Sequence, residues 1–373
     1  MQLFIFVYSC IPQTLTDMEH MTPRERIMAT INRLPVDRAP VDLWCTPEVL
    51  DSLREYTSIE DEFEVYDKLG VDKIVWIFPG YAGRYFDPND SGEITMWGVP
   101  TRMVKAGLAT YQEYIDPPIG DYEDPSQLET YHSWPDPDKF DYEGAKSLAK
   151  RARSWNFATI GPWISHFEIY CQMRGLENAL MDTVAFPEFL DATLDHIDSI
   201  QTVMLERMLK ELGDDLDIVF ISDDMGMQRN MLISLDSWEQ FFKRRLKNWC
   251  DLIHSYGKKV LYHTDGAILP LIPKLVECGI DILNPIQHVC PGMDTAGLKE
   301  RFGNDLIFHG GIENQRILPM GTVEEVREET RACLETLGKG GGYICCSCHN
   351  AQAGTPVENI LTMIDTVKTY RAD

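Results

Sequence analysis

The chain has 373 residues, with 34 Lys and Arg against 59 Asp and Glu, a formal charge of −25 when His is counted neutral. Neutralising nucleic-acid phosphates needs a basic face that this balance does not supply, and a polyanionic small molecule would be repelled unless a local Arg cluster overrode the field. Apolar residues make up 44% and charged residues 25%, the profile of a globular chain with ample core, and the length suits two ordinary domains or one α/β barrel of roughly 250 residues plus insertions.

The opening stretch MQLFIFVYSCIP is apolar, but it lacks a basic flank and is shorter than the ~20 apolar residues that span a bilayer. No other stretch qualifies, so no membrane association is expected. Residues 1–20 read as a disordered extension of a barrel that fills 21–373. The first structural signal is Thr22-Pro23-Arg24-Glu25, where Thr22 can cap a helix, Pro23 suits its first position and Glu25 closes a capping box. The ten cysteines are too sparse for a disulfide framework, which predicts a reduced, cytoplasmic protein.

Short, nearly continuous apolar runs then follow at 39–44, 73–78, 158–163, 217–223, 259–263, 281–284, 306–310 and 342–346. Such runs suit parallel strands covered on both faces. Helical patterns lie between them, among them 237–256, 269–278 and 323–337, the last opened by Thr322 and closed by a glycine run. Eight alternating strands and helices predict a (β/α)8 TIM barrel, an open doubly wound sheet being the alternative. Neither a G-x-G-x-x-G after the first strand nor a Walker loop is present, so a nucleotide cofactor has no support. One long insertion, about 80–145, separates the second and third runs. Within it, 92–100 and 102–114 read as a β-hairpin followed by acidic, Pro-rich loop, a candidate lid.

Barrel enzymes place their chemistry at the carboxyl ends of the strands. Here the third run leads through Trp163 to His166 and Glu168, and the fourth ends in Asp223-Asp224. The fifth ends His263-Thr264-Asp265, the sixth runs from Asn284 to Gln287, the seventh reaches His309 before two glycines, and the eighth continues from Cys345 to Asn350. Polar residues thus gather at one end of every late strand, which points to an enzyme.

Residues two apart on a strand share a face, so His263 and Asp265 can address one atom, with the Cys348-His349 pair reaching them from the eighth strand. Imidazole, carboxylate and thiolate are zinc ligands, and three of them leave an open, catalytic position. A His and Asp at a strand end serve equally well as a hydrogen-bonded pair that orients a substrate, and both readings stand. Adjacent Asp223 and Asp224 point to opposite faces, so only one faces the mouth. Asp223 is read as a general base or a helix cap, Glu168 as a carboxylate reaching the centre or an exposed helix residue, and His263 as the central catalytic group. Trp163, Asp224, Gln287, His309 and Asn350 are expected to bind substrate, although His309 would also suit a packed, satisfied histidine.

These residues sit in stretches that carry a resemblance. YHTDGAILPLIP at 262–273, GIDILNPIQ at 279–287, FHGGI at 308–312, GGGYI at 340–344 and TPVENI at 355–360 resemble the uroporphyrinogen decarboxylase superfamily over residues 22–370. The resemblance implies a (β/α)8 barrel and one of two activities. The haem-pathway branch carries an Arg-rich segment after its first strand and an acid on its second; this chain has LWCTPE at 43–48 and WIFPG at 76–80, with neither. The methyltransferase branch binds zinc through H-x-C and a later Cys, which fall on His263, Asp265 and Cys348. The change of Cys to Asp at 265 makes a harder ligand set. This branch implies methyl exchange between a small methylated substrate or thiol and a corrinoid, presented by a separate protein because no D-x-H-x-x-G segment is present. The other readings are a metal-free decarboxylase or lyase that uses His263 and Asp265 as an acid/base pair, and a non-catalytic binding barrel.

Overall fold

A computed structural model of the chain describes residues 20–83 and 93–371. The extension expected at 1–20 lies almost wholly outside the described residues, as does the part of the insertion at 84–92. The strands in chain order are β1 (Ile74–Trp76), β2 (Gly80–Tyr81), β3 (Thr101–Ala106), β4 (Ala109–Tyr114), β5 (Phe140–Asp141), β6 (Ala158–Ile164), β7 (Ile218–Ser222), β8 (Lys259–His263), β9 (Ile282–Asn284), β10 (Ile307–Ile312) and β11 (Tyr343–Ser347). Seven of them form one curled parallel sheet in the order β1-β6-β7-β8-β9-β10-β11. Neighbours in that sheet are also neighbours in sequence apart from the insertion, as expected when each strand returns through a helix on the outer face.

The run at 39–44 is not a regular strand. Its backbone nevertheless touches both edges of the sheet: Asp42 N–H donates to Cys345 O at 2.8 Å, Cys345 N–H to Pro40 O at 2.9 Å, and Asp72 N–H to Val41 O at 2.7 Å. What replaces the ladder is a side chain. The Asp42 carboxylate takes the N–H groups of Leu43 at 2.8 Å and Ile74 at 3.1 Å, donors that a continuous ladder would have used.

Alternation along the strands sorts the core into two layers. Ala158, Ile160, Ile218, Phe220, Leu261, Ile282, Ile307, Ile344 and Cys346 point inward and pack together. Their neighbours Val219, Ile221, Val260 and Tyr262 pack between sheet and helices. The first helix, Pro23–Ile31, has the expected Thr22–Glu25 capping box. Its Ile27 and Ile31 join the inner layer, so the end of the interior opposite the strand carboxyl termini is filled with apolar side chains.

Two expected elements differ in detail. The helix expected over 237–256 is two, Leu235–Phe241 and Lys243–Ser255, parted at Phe242, whose ring is buried edge-on against Phe167 at 5.6 Å. The hairpin, at 101–114, coincides with the second of its two expected stretches to within one residue. β3 and β4 pair from Thr101↔Tyr114 to Ala106↔Ala109 because Gly107, at φ 64°, supplies the left-handed turn position that a two-residue loop requires. Among its described residues the preceding stretch contributes the isolated bridge Ile94↔Pro100 rather than a strand of the hairpin. No helix among the described residues is long and apolar enough to cross a membrane.

Candidate active site

His263 is the last residue of β8 and faces inward at the strand carboxyl ends, with its side chain 7% exposed. Its Nδ1 lies 2.5 Å from Asn284 Oδ1 at the end of β9, as the register His263↔Asn284 dictates. Nε2 faces the other way, 3.9 Å from Asp224 Oδ1. Asp265 follows two residues later, and its N–H donates to the same Asp224 oxygen at 2.9 Å. The His349 ring meets that of His263 edge-on at 5.7 Å. One ligand atom from each of His263, Asp265 and His349 lies within 4.8 Å of the others.

That trio differs from the expected one in its third member. Cys348 is buried and committed elsewhere: its thiol donates to Ile286 O at 3.2 Å, and burial pushes its ionisation far above the usual thiol range. His349 takes the place expected for the cysteine. Two imidazoles and a carboxylate are a common donor set for zinc with an open position, so the residues present fit a divalent metal. Burial and Asp224 both raise the Asp265 carboxyl, while His263 counteracts them. For His263, burial favours the neutral ring, yet Asp224 and Asp265 carry its ionisation upward. A compact cation would relieve this clustering of carboxylates.

The adjacent aspartates do diverge. Asp223 is buried, and its Oδ1 accepts from Ser165 Oγ at 2.6 Å and from the N–H groups of Phe167, His166 and Glu168 at 2.6, 3.1 and 3.2 Å. It caps helix Phe167–Arg174, and burial still pushes it up to about 6 against those bonds. The base role expected of Asp223 therefore meets a carboxylate already committed to a helix end, and Asp224 is the aspartate at the mouth. Glu168 reaches the centre: Ser222 Oγ donates to its Oε1 at 2.5 Å. Burial, reinforced by Asp224, pushes Glu168 up to about 7.

Two cavities flank this centre. One, of about 470 Å³, is lined by Asp265, Gln287, His349, Cys348, Met227 and Gln352. Gln287 there accepts the Gly266 N–H at 2.9 Å. The other, of about 510 Å³, is aromatic, with Trp163, Phe78, Tyr81, Trp97 and Tyr114 in its walls. Asn350 follows His349 and uses its carbonyl to accept from Gln352 Nε2 at 2.9 Å. His309 is not at the mouth. It is fully buried beneath it, with Nε2 3.1 Å from Asp42 Oδ2 and Nδ1 2.7 Å from Asn284 Nδ2, so the expected substrate contact is replaced by two internal ones. Asp42 is the residue that sequence reasoning missed; it places Asn284 at a strand end without a role, and His349 beside Cys348 without making it the expected ligand. The signal for Asp42 was present, since it shares the inward parity of Trp44.

The fold and site define a parallel α/β protein whose imidazole and carboxylate centre lies at its strand carboxyl ends. The uroporphyrinogen decarboxylase (URO-D) family profile matches residues 98–370, and the chain belongs to that family. The methylated-thiol–coenzyme M methyltransferase of Methanosarcina mazei (strain ATCC BAA-159 / DSM 3647 / Goe1 / Go1 / JCM 11833 / OCM 88) is 24% identical over 209 residues, 54% of this chain and 50% of that protein. The chain thus spans about half the length of the curated relative it matches. A solved structure, a methyltransferase from Methanosarcina mazei, superposes with a TM-score of 0.65 at 17% identity over 93% of this chain and 98% of that one, a likeness of fold.

Proposed function

We propose that this chain is a methyltransferase that exchanges a methyl group between a small methylated substrate or thiol and a corrinoid carried by a separate protein, with zinc held by His263, Asp265 and His349. The observation that carries the reading is the convergence of those three ligand atoms at the strand ends. The methyltransferase relatives support it. The bonds from 40–42 to both sheet edges support a closed (β/α)8 barrel, and the nine free thiols among the described residues support a reducing, cytoplasmic setting.

Zinc at such a site supplies Lewis acidity that favours the thiolate or alkoxide form of a bound heteroatom. The chain's own groups do the rest. Glu168, poised near neutrality beside Ser222, takes the proton from an incoming thiol. Asp224 holds the His263 edge of the site, and the aromatic wall at Trp163 and Tyr114 excludes water from the methyl group. Residues 43–48 and 76–80 carry no Arg or Asp, which leaves a polycarboxylate substrate without partners. Incubation with a methylated thiol and a reduced corrinoid protein tests the reading: methylation of the cobalt, followed by its absorption spectrum, is expected. Zinc-free protein that instead decarboxylates a small acid would favour the lyase reading, in which His263 and Asp265 act as an acid/base pair.

A further inference from the structure

One polar thread runs through the otherwise apolar interior. Asp42, Lys73, His309 and Asn284 are all buried and surrounded by Trp44, Ile74, Phe220, Leu261 and Ile307. Burying such groups is costly unless each finds a partner. Here every one is paired, and the pairings have a direction.

The far end sets that direction. Asp42 receives the N–H groups of Leu43 and Ile74, Trp44 Nε1 at 2.9 Å and Lys73 Nζ at 3.4 Å. Burial opposes its charge, but Lys73 and His309 hold the carboxyl well below the usual range. An ionised carboxylate can only accept, so His309 Nε2, at 3.1 Å, carries a proton. Asn284 Nδ2 lies 2.7 Å from His309 Nδ1 and 3.4 Å from the His309 carbonyl, so this side of the amide is the NH2 and His309 Nδ1 accepts from it. That orientation turns Asn284 Oδ1 toward His263 Nδ1 at 2.5 Å, and a carbonyl can only accept. His263 therefore carries a proton on Nδ1, and in the neutral ring the Nε2 lone pair faces Asp224, Asp265 and His349.

The geometry points to Asp42, His309 and Asn284 as positioning residues that fix the tautomer of His263, so that its basic nitrogen is presented at the mouth. Hydrogen bonds to the distal nitrogen of a ligating histidine orient the ring and raise its donor strength, and their loss typically lowers metal affinity 10–100-fold. The inference deepens the metal reading of the site, but the tautomer itself does not depend on a metal being bound.

The test uses the full chain labelled with 15N in its histidine rings, stripped of metal, and read by long-range proton–nitrogen spectra, with His263→Gln and His309→Gln used to assign the two rings. In the unaltered protein, at a pH alkaline enough to keep both rings neutral, His263 is expected as the Nδ1–H form and His309 as the Nε2–H form. Asn284→Asp keeps an acceptor toward His263 and is expected to retain its Nδ1 proton. Asn284→Ala removes the acceptor, so it is expected to lose that preference and to bind zinc about 10–100-fold more weakly. A purely structural role would lower thermal stability in both variants without separating their spectra. An Nε2–H form of His263 in the unaltered protein, or one unchanged by Asn284→Ala, overturns the proposal. Expected tautomers in a protein that binds no zinc would sink the metal reading and leave the positioning role standing. Zinc bound by a protein with the opposite tautomer would do the reverse.

Discussion

Tyr111, on the outer strand of the inserted hairpin, donates its hydroxyl to Gln352 Oε1 at 2.8 Å, 241 positions further along the chain. The hairpin is inserted after β1 and reaches the loop that follows β11, where Gln352 lines the same cavity as Asp265 and His349. The bond is exposed and worth about 1 kcal/mol at most. Its loss in Tyr111→Phe is expected to raise KM up to about fivefold, with kcat nearly unchanged. Steady-state kinetics together with limited proteolysis of the hairpin check this; equal loss of kcat would place Tyr111 in the chemistry instead.

Asp223 predicts a pH dependence of stability. Its carboxyl moves from 3.8 to about 6 on folding, so the folded state holds the proton more tightly. The group therefore favours folding at low pH, and that contribution fades as pH rises from about 4 to about 6, amounting to roughly 3 kcal/mol at most. Asn keeps an acceptor for the helix and does not ionise. Asp223→Asn is expected to gain stability relative to the parent across that window, as urea unfolding at successive pH values would reveal.

Glu168 lies near 7, so the carboxylate that accepts a proton grows in as pH rises through neutrality. With a thiol as the methyl acceptor, kcat/KM is expected to rise along that limb. Glu168→Gln is expected to lose the limb and about 100-fold in rate, the low end of the usual contribution from general acid–base groups. A variant that keeps the limb would assign it to another group.

Much of this architecture was readable in the sequence because a buried parallel strand must be continuously apolar. The run at 259–263 coincides with β8, and the neighbouring runs differ by a residue or two. Legibility failed where a side chain replaced a backbone partner. Asp42 captures the donors of the 39–44 run, and Gly107 moves the hairpin turn. It failed again just past strand ends, where alternation no longer decides which side chain faces inward. β11 stops at Ser347, whose hydroxyl bonds back to His349 O at 2.6 Å, and in that bend His349 turns to the centre while Cys348 turns to Ile286. Likewise, adjacency required Asp223 and Asp224 to diverge, but only the packing of helix Phe167–Arg174 determined which became its cap.

The zinc content of purified protein, compared with that of His349→Ala and Cys348→Ala, bears most directly on the site. About one zinc per chain is expected, lost in His349→Ala and retained in Cys348→Ala. Retention in the first with loss in the second would restore the cysteine as ligand and contradict the geometry described for this centre.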